Sequence, residues 1–162
     1  MPTYETTLLV PRPLEETFAF VSDFRNAARW DPRTFSTEKV TEGPIGLGTR
    51  FLLSGGLVPQ YLVPGRLAFL LEPLLAMPLP YDVVAFDPPR EFVLQGETAA
   101  FRYDDRITFA AEGASTRLTY LARLEFRGVL TPFNPILQLA FKRIGDDATR
   151  DLAVTVVEGA VV

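Results

Sequence analysis

One carboxylate stands in an apolar setting. In the run Phe101, Tyr103, Asp105, Ile107, Phe109, every second residue is apolar or aromatic except Asp105, while Arg102, Asp104, Arg106 and Thr108 take the alternate positions. Alternate residues of a strand share a face, so Asp105 is expected on the apolar one. A carboxyl group there is either paired or driven toward its neutral form by desolvation. Two kinds of chemistry suit it: orienting a ligand hydroxyl, or serving as a general acid/base. The plain structural reading is a carboxylate bonded to Tyr, Arg or backbone. Tyr81, Tyr103 and Tyr120 each present a hydroxyl from a segment with strand character, and any two facing inward would hydrogen-bond a polar ligand group.

Other chemistries fail on inventory. The chain has no His and no Cys, so the commonest general base, the commonest metal ligand and disulfides are all missing. Ser22, Ser36, Ser54 and Ser115 have no His to activate them. Asp104-Asp105 and Asp146-Asp147 are adjacent pairs whose members point in different directions. Neither a metal nor a cofactor is expected. A net charge of −4 and a pI near 4.9 give no nucleic-acid footprint. Hydrophobic residues make up 48% of 162 and mean hydropathy is +0.14, more apolar side chain than a minimal core needs; the excess suits a cavity or an interface. Met1 to Val10 does not read as a signal peptide, and a cytoplasmic location is the expectation.

The elements that must position Asp105 are a sheet and a helix. Asn134-Pro135 opens a helix expected to run to Val157, with Asn134 as cap and Pro135 in the first turn. Leu137, Phe141, Ile144, Ala148 and Leu152 recur at helical spacing along it. Gly145 sits mid-helix at a cost of about 1 kcal/mol relative to Ala, which a close approach by another element would explain. A helix about 34 Å long with one apolar stripe needs a broad surface. Thr3–Val10 alternates as a first strand; Pro13 to Val21 and Asp23 to Trp30 read as two short helices. Phe35–Thr41, Thr49–Ser54, Leu79–Phe86, Glu91–Glu97, Phe101–Ala110 and Ser115–Arg127 read as further strands, with turns at Pro88-Pro89 and Glu112-Gly113. The glycine-rich 42–48 segment lacks the Lys and the helix of a phosphate-binding loop and reads as a strand connection needing unusual backbone angles. Residues 55–80 are rich in proline and apolar runs, and Glu72-Pro73 interrupts them too early for a membrane span. The 57–77 insertion reads as a lid or extended hairpin edge, with a homodimer contact through 55–80 as the alternative.

The expected architecture is therefore α+β: about seven antiparallel strands curved around a long C-terminal helix, with two short helices after the first strand, in a single domain spanning 1–162. This is the helix-grip arrangement. Pro13 to Asp23, Asn26 to Pro32, Gly46 to Phe51, Asp87 to Arg90, Ile107 to Phe109 and Phe141 to Asp146 together resemble the START-like (SRPBCC) superfamily, which includes polyketide cyclases/dehydrases and lipid-transfer proteins. The resemblance implies a hydrophobic tunnel between sheet and helix, and a small hydrophobic molecule, lipid or polyketide-like, as partner. Mapped onto this chain, the ligand-facing set is Trp30, Tyr81, Tyr103, Asp105, Tyr120, Leu124, Phe133, Leu137, Phe141 and Ile144. Trp30, the sole Trp, is read as core packing or as ligand contact at the tunnel mouth. Three functions follow: a carrier or sensor, a cyclase or dehydratase using Asp105 and a Tyr, or a dimerising domain without a ligand. A sizeable apolar cavity would mark the first, convergent polar groups the second.

Overall fold

The computed structural model describes residues 1–56 and 76–159. Strands β1 (Thr3–Val10), β2 (Thr34–Lys39), β3 (Arg50–Gly55), β4 (Met77–Asp87), β5 (Glu91–Glu97), β6 (Phe101–Glu112) and β7 (Ser115–Phe126) form one antiparallel sheet in the order β1-β7-β6-β5-β4-β3-β2. Every neighbour is also a neighbour in sequence except β1 against β7. The chain therefore leaves β1 at one edge and starts β2 at the other. Helices α1 (Leu14–Ser22) and α2 (Ala27–Trp30) make that crossing, joined by a 3₁₀ turn at Phe24–Asn26. The Asp23 carboxylate accepts from the Arg25 N–H at the start of that turn, as a short polar side chain does at a helix entrance.

Inward-facing residues of the sheet and the helices share one core. Val10, Phe51, Val83, Phe92, Leu94, Ile107 and Leu118 are fully or almost fully buried. Phe18 of α1 meets Phe86 and Phe109 edge to face, with centroids 5.4 and 5.1 Å apart, a geometry aromatic quadrupoles favour. The glycine-rich connection has positive φ at Gly43 and Gly48, the angles expected of it. Among the described residues no helix is long and apolar enough to cross a membrane.

The C-terminal helix departs from expectation at both ends. It is two helices, α3 (Asn134–Arg150) and α4 (Leu152–Gly159), broken at Asp151. The break follows Thr149, whose hydroxyl donates back to the Gly145 carbonyl at 2.9 Å; such back-bonding bends helices. Asn134 does not cap. A 3₁₀ turn at Gly128–Phe133 runs straight into α3, so Asn134 already has helical backbone angles. Its side chain instead accepts from the Phe126 N–H at 2.8 Å and donates to the Phe126 carbonyl at 3.2 Å, pinning α3 to the end of β7. Gly145 is where the helix touches β1: a Cβ there would lie 2.3 Å from the Tyr4 ring. The Tyr4 hydroxyl then reaches Asp146 at 3.0 Å and Thr149 at 3.1 Å. The lid and homodimer readings of 55–80 fall almost entirely on 57–75, outside the described residues.

Candidate functional site

Strand register brings the site together. Val83↔Leu94, Leu94↔Asp105, Asp105↔Ala122 and Ala122↔Tyr4 are successive cross-strand pairs, so five strands lay one row across the concave face with Asp105 at its centre. Tyr103 and Tyr120 flank this row on β6 and β7, and Tyr81 flanks it on β4. The small Ala122 beside Asp105 leaves space between sheet and helix. That space is a cavity of about 140 Å³. Asp105, Tyr81, Tyr103, Tyr120, Leu124 and Trp30 line it from the sheet and α2, and Phe141 and Ile144 line it from α3. Two sequence-expected residues do not reach it. Leu137 is buried under α3 beyond the lining, and Phe133 is 51% exposed, because the 3₁₀ turn ahead of α3 carries it off the inward stripe.

Asp105 is 6% exposed. Burial pushes its carboxyl group up to about 7, although the Tyr120 and Tyr81 hydroxyls pull it back, and the nearby charges of Asp104 and Asp31 add to the rise. Burial, and then the Asp105 charge, raise Tyr81 and Tyr120 well above the ordinary phenol range. Both phenols therefore stay protonated as donors, while Asp105 changes between acceptor and donor close to neutral pH. Burial likewise raises Tyr103, but its hydroxyl is committed, donating to the Pro80 carbonyl at 2.6 Å; it offers the cavity a ring rather than a donor. Tyr81 lies against that ring, with centroids 4.5 Å apart and planes tilted by 45°. Trp30 packs edge to face on Tyr120 at 6.2 Å and on Phe24 at 6.1 Å. Its indole N–H is buried without an acceptor among the described residues.

A second polar group lines the cavity and was not singled out from sequence. Asp31 accepts from the Arg33 N–H at 3.0 Å and from the Thr34 hydroxyl at 2.9 Å, the turn expected of an Asp ahead of Pro. Burial raises its pKa, against those same hydrogen bonds. The Arg33 guanidinium, only 7% exposed, reaches across to α3, donating to Asp147 at 3.0 Å and to the Ile144 carbonyl at 3.3 Å. Arg33 first, then Arg150, holds Asp147 below the usual carboxylate range. The Asp31-Pro32-Arg33-Thr34 spelling announces the turn, but nothing local announces Asp147 as the arginine's partner. No group of three or more acidic side chains that could hold a metal occurs among the described residues.

Solved structures share the arrangement. A protein from Thermus thermophilus superposes with a TM-score of 0.73 at 16% identity, covering 98% of this chain and 99% of that one. A START superfamily protein from Mycobacterium smegmatis gives 0.66 at 14%, covering 98% and 96%. The Zhui aromatase/cyclase from Streptomyces sp. R1128 gives 0.67 at 14%, covering 98% and 92%. At these identities the likeness is one of fold. No curated protein matches the chain in sequence. A family model does match, over residues 1–157, and the chain belongs to the family it describes, polyketide cyclase/dehydrase and lipid transport.

Proposed function

We propose that the protein binds a compact, mostly apolar molecule bearing one hydroxyl or carbonyl group between its sheet and α3, acting as a carrier or sensor. The observation that carries this reading is the cavity itself, apolar on most of its wall, with Asp105, Tyr81 and Tyr120 converging on one side. Its size narrows the ligand. About 140 Å³ is close to the engineered void of roughly 150 Å³ that accepts benzene, and well under the roughly 300–1,000 Å³ of drug-sized pockets. A single ring matches that volume. Calorimetric titration with 4-methylphenol and with p-xylene tests the proposal. The expected outcome is saturable one-to-one binding of the phenol, clearly tighter than the xylene, with that preference lost in Tyr120→Phe. Equal binding of both, or none, sinks it.

A second reading draws on one specific observation, a buried carboxyl group titrating near 7 beside two protonated phenols. A base with that pKa works near neutral pH. Ionised Asp105 would take a proton from the carbon between two carbonyls while Tyr120 or Tyr81 donates a hydrogen bond to the developing enolate oxygen. This is the proton transfer that a cyclisation or dehydration needs, and the family description and the cyclase likeness support it. Deuterium exchange into acetylacetone, followed by NMR, is its check: exchange above the buffer rate that disappears in Asp105→Asn supports catalysis, and exchange indifferent to that substitution rules it out.

A further inference from the structure

The sheet has a slot. β4 pairs with β3 as far as Met77, and β5 pairs with β6 as far as Glu97, yet β4 and β5 pair with each other only from Asp87↔Glu91 to Asp82↔Gln95. Beyond Asp82 no ladder joins 77–81 to Gly96 and Glu97. Strand alternation explains why. Val83 turns both its N–H and its C=O to β3, bonding the Thr49 carbonyl at 2.8 Å and the Gly48 N–H at 2.9 Å. Residues an odd number of positions away turn theirs to β5, and two of these are Pro78 and Pro80, which have no N–H to give.

One side chain occupies the slot. Tyr103 rises from β6 opposite Gly96 and gives its hydroxyl to the Pro80 carbonyl at 2.6 Å, satisfying an acceptor that a ladder bond would otherwise take. Gly96 makes room for the ring: a Cβ there would lie 2.0 Å from the Pro80 oxygen and 2.3 Å from the ring. On the outer side lies a groove of about 760 Å³ lined by Pro80, Gln95, Gly96, Glu97 and Arg102. Tyr103 lines that groove and the inner cavity alike.

We infer that this slot is a lateral passage through the sheet into the cavity, with Tyr103 as its gate. Opening it breaks one side-chain hydrogen bond, turns one aromatic side chain and parts the Pro80 carbonyl from the Gly96 backbone that it touches. No β4–β5 ladder bond has to break there, whereas opening the sheet where the ladder is intact would break several backbone bonds. The groove outside carries charge pairs, Arg50 with Asp82 and Arg102 with Glu97, so a molecule crosses from a polar vestibule into an apolar interior. The inference rests on the cavity and not on what fills it.

Trp30 provides the readout, being the only Trp, 4% exposed and part of the cavity wall. Acrylamide, a small neutral quencher, reports access to it without any ligand. Quenching of Trp30 is to be compared in Tyr103→Ala, Tyr103→Phe and Phe101→Ala, well below each variant's melting temperature. Phe101 lines the cavity near the β5–β6 turn and controls for access from that end. A several-fold rise for Tyr103→Ala, a smaller rise for Tyr103→Phe, which keeps the ring and loses only the Pro80 bond, and little change for Phe101→Ala support the gate. A rise in Phe101→Ala matching or exceeding that in Tyr103→Ala, or no rise in the Tyr103 variants, overturns it.

Discussion

Asp105 holds its proton far above the ordinary carboxyl range because ionising it would place a charge on an apolar strand face that two phenol hydroxyls only partly solvate. Its position was legible in the alternation of β6, where the face repeats Phe, Tyr, Asp, Ile, Phe. Its partners were not, since which tyrosines meet it depends on the register of β4 and β7. The stability consequence has a definite sign. A carboxyl group whose folded pKa is raised binds more protons in the folded than in the unfolded state between its two pKa values, so stability falls as pH rises through that window. A rise from 3.8 to about 7, at about 1.4 kcal/mol per unit, corresponds to ~4 kcal/mol lost between about pH 4 and pH 7. Asp105→Asn removes the titration. Its stability relative to the wild type should therefore grow from pH 5 to pH 8, by several kcal/mol at most, in urea melts at the two pH values. A difference that stays constant with pH would mean that the carboxyl group is solvated.

At the scale of elements, the long helix was readable in phase but not in its ends. Leu137, Phe141 and Leu152 are buried as their spacing requires, because a stripe depends only on helical period. The Asn134 cap failed because the chain before it is already helical, and a 3₁₀ turn has no strong sequence signature. The break at Asp151 was hidden because a Thr149 hydroxyl bonded back to the Gly145 carbonyl, which favours a bend there, has no signature in the apolar stripe. Gly145 is the one interior residue whose cost pointed to a contact, and the contact is Tyr4. Gly145→Ala thus sets two effects against each other. Helix propensity favours Ala by about 1 kcal/mol, but the new Cβ would meet the Tyr4 ring at 2.3 Å, and overpacking costs about 1–3 kcal/mol. Displacing that ring also disturbs the Tyr4 bonds to Asp146 and Thr149. We expect a net loss of stability in chemical denaturation; a gain would show that Tyr4 yields without strain.

At the scale of the whole molecule, strand number, sequential antiparallel pairing and the helix laid across the concave face followed from alternation and turn chemistry, with limits shifted by a residue or two at every strand but β1 and β5. The pairing of β1 with β7 depends instead on contacts that no local pattern carries. The cavity did not follow, because it is a difference between large volumes fixed only when distant residues meet: Ala122 opposite Asp105, Arg33 drawn to Asp147, Tyr103 held to Pro80. A cavity of about 140 Å³ leaves its lining side chains without packing partners on one side, a stability cost that folding alone gives no reason to keep. Function gives one, and sites are where stability and activity trade against each other. Ala122 is the residue through which to test the trade. It lines the cavity in the Asp105 row, and methionine is long and adaptable enough to fill an irregular space. Ala122→Met should recover part of the forgone packing; a gain of about 1–2 kcal/mol would raise the melting temperature by roughly 2–8 °C for a chain of this length. The same substitution should abolish saturable binding of 4-methylphenol. A variant that melts no higher and binds as the wild type does would show that the space beside Asp105 is not where the ligand goes.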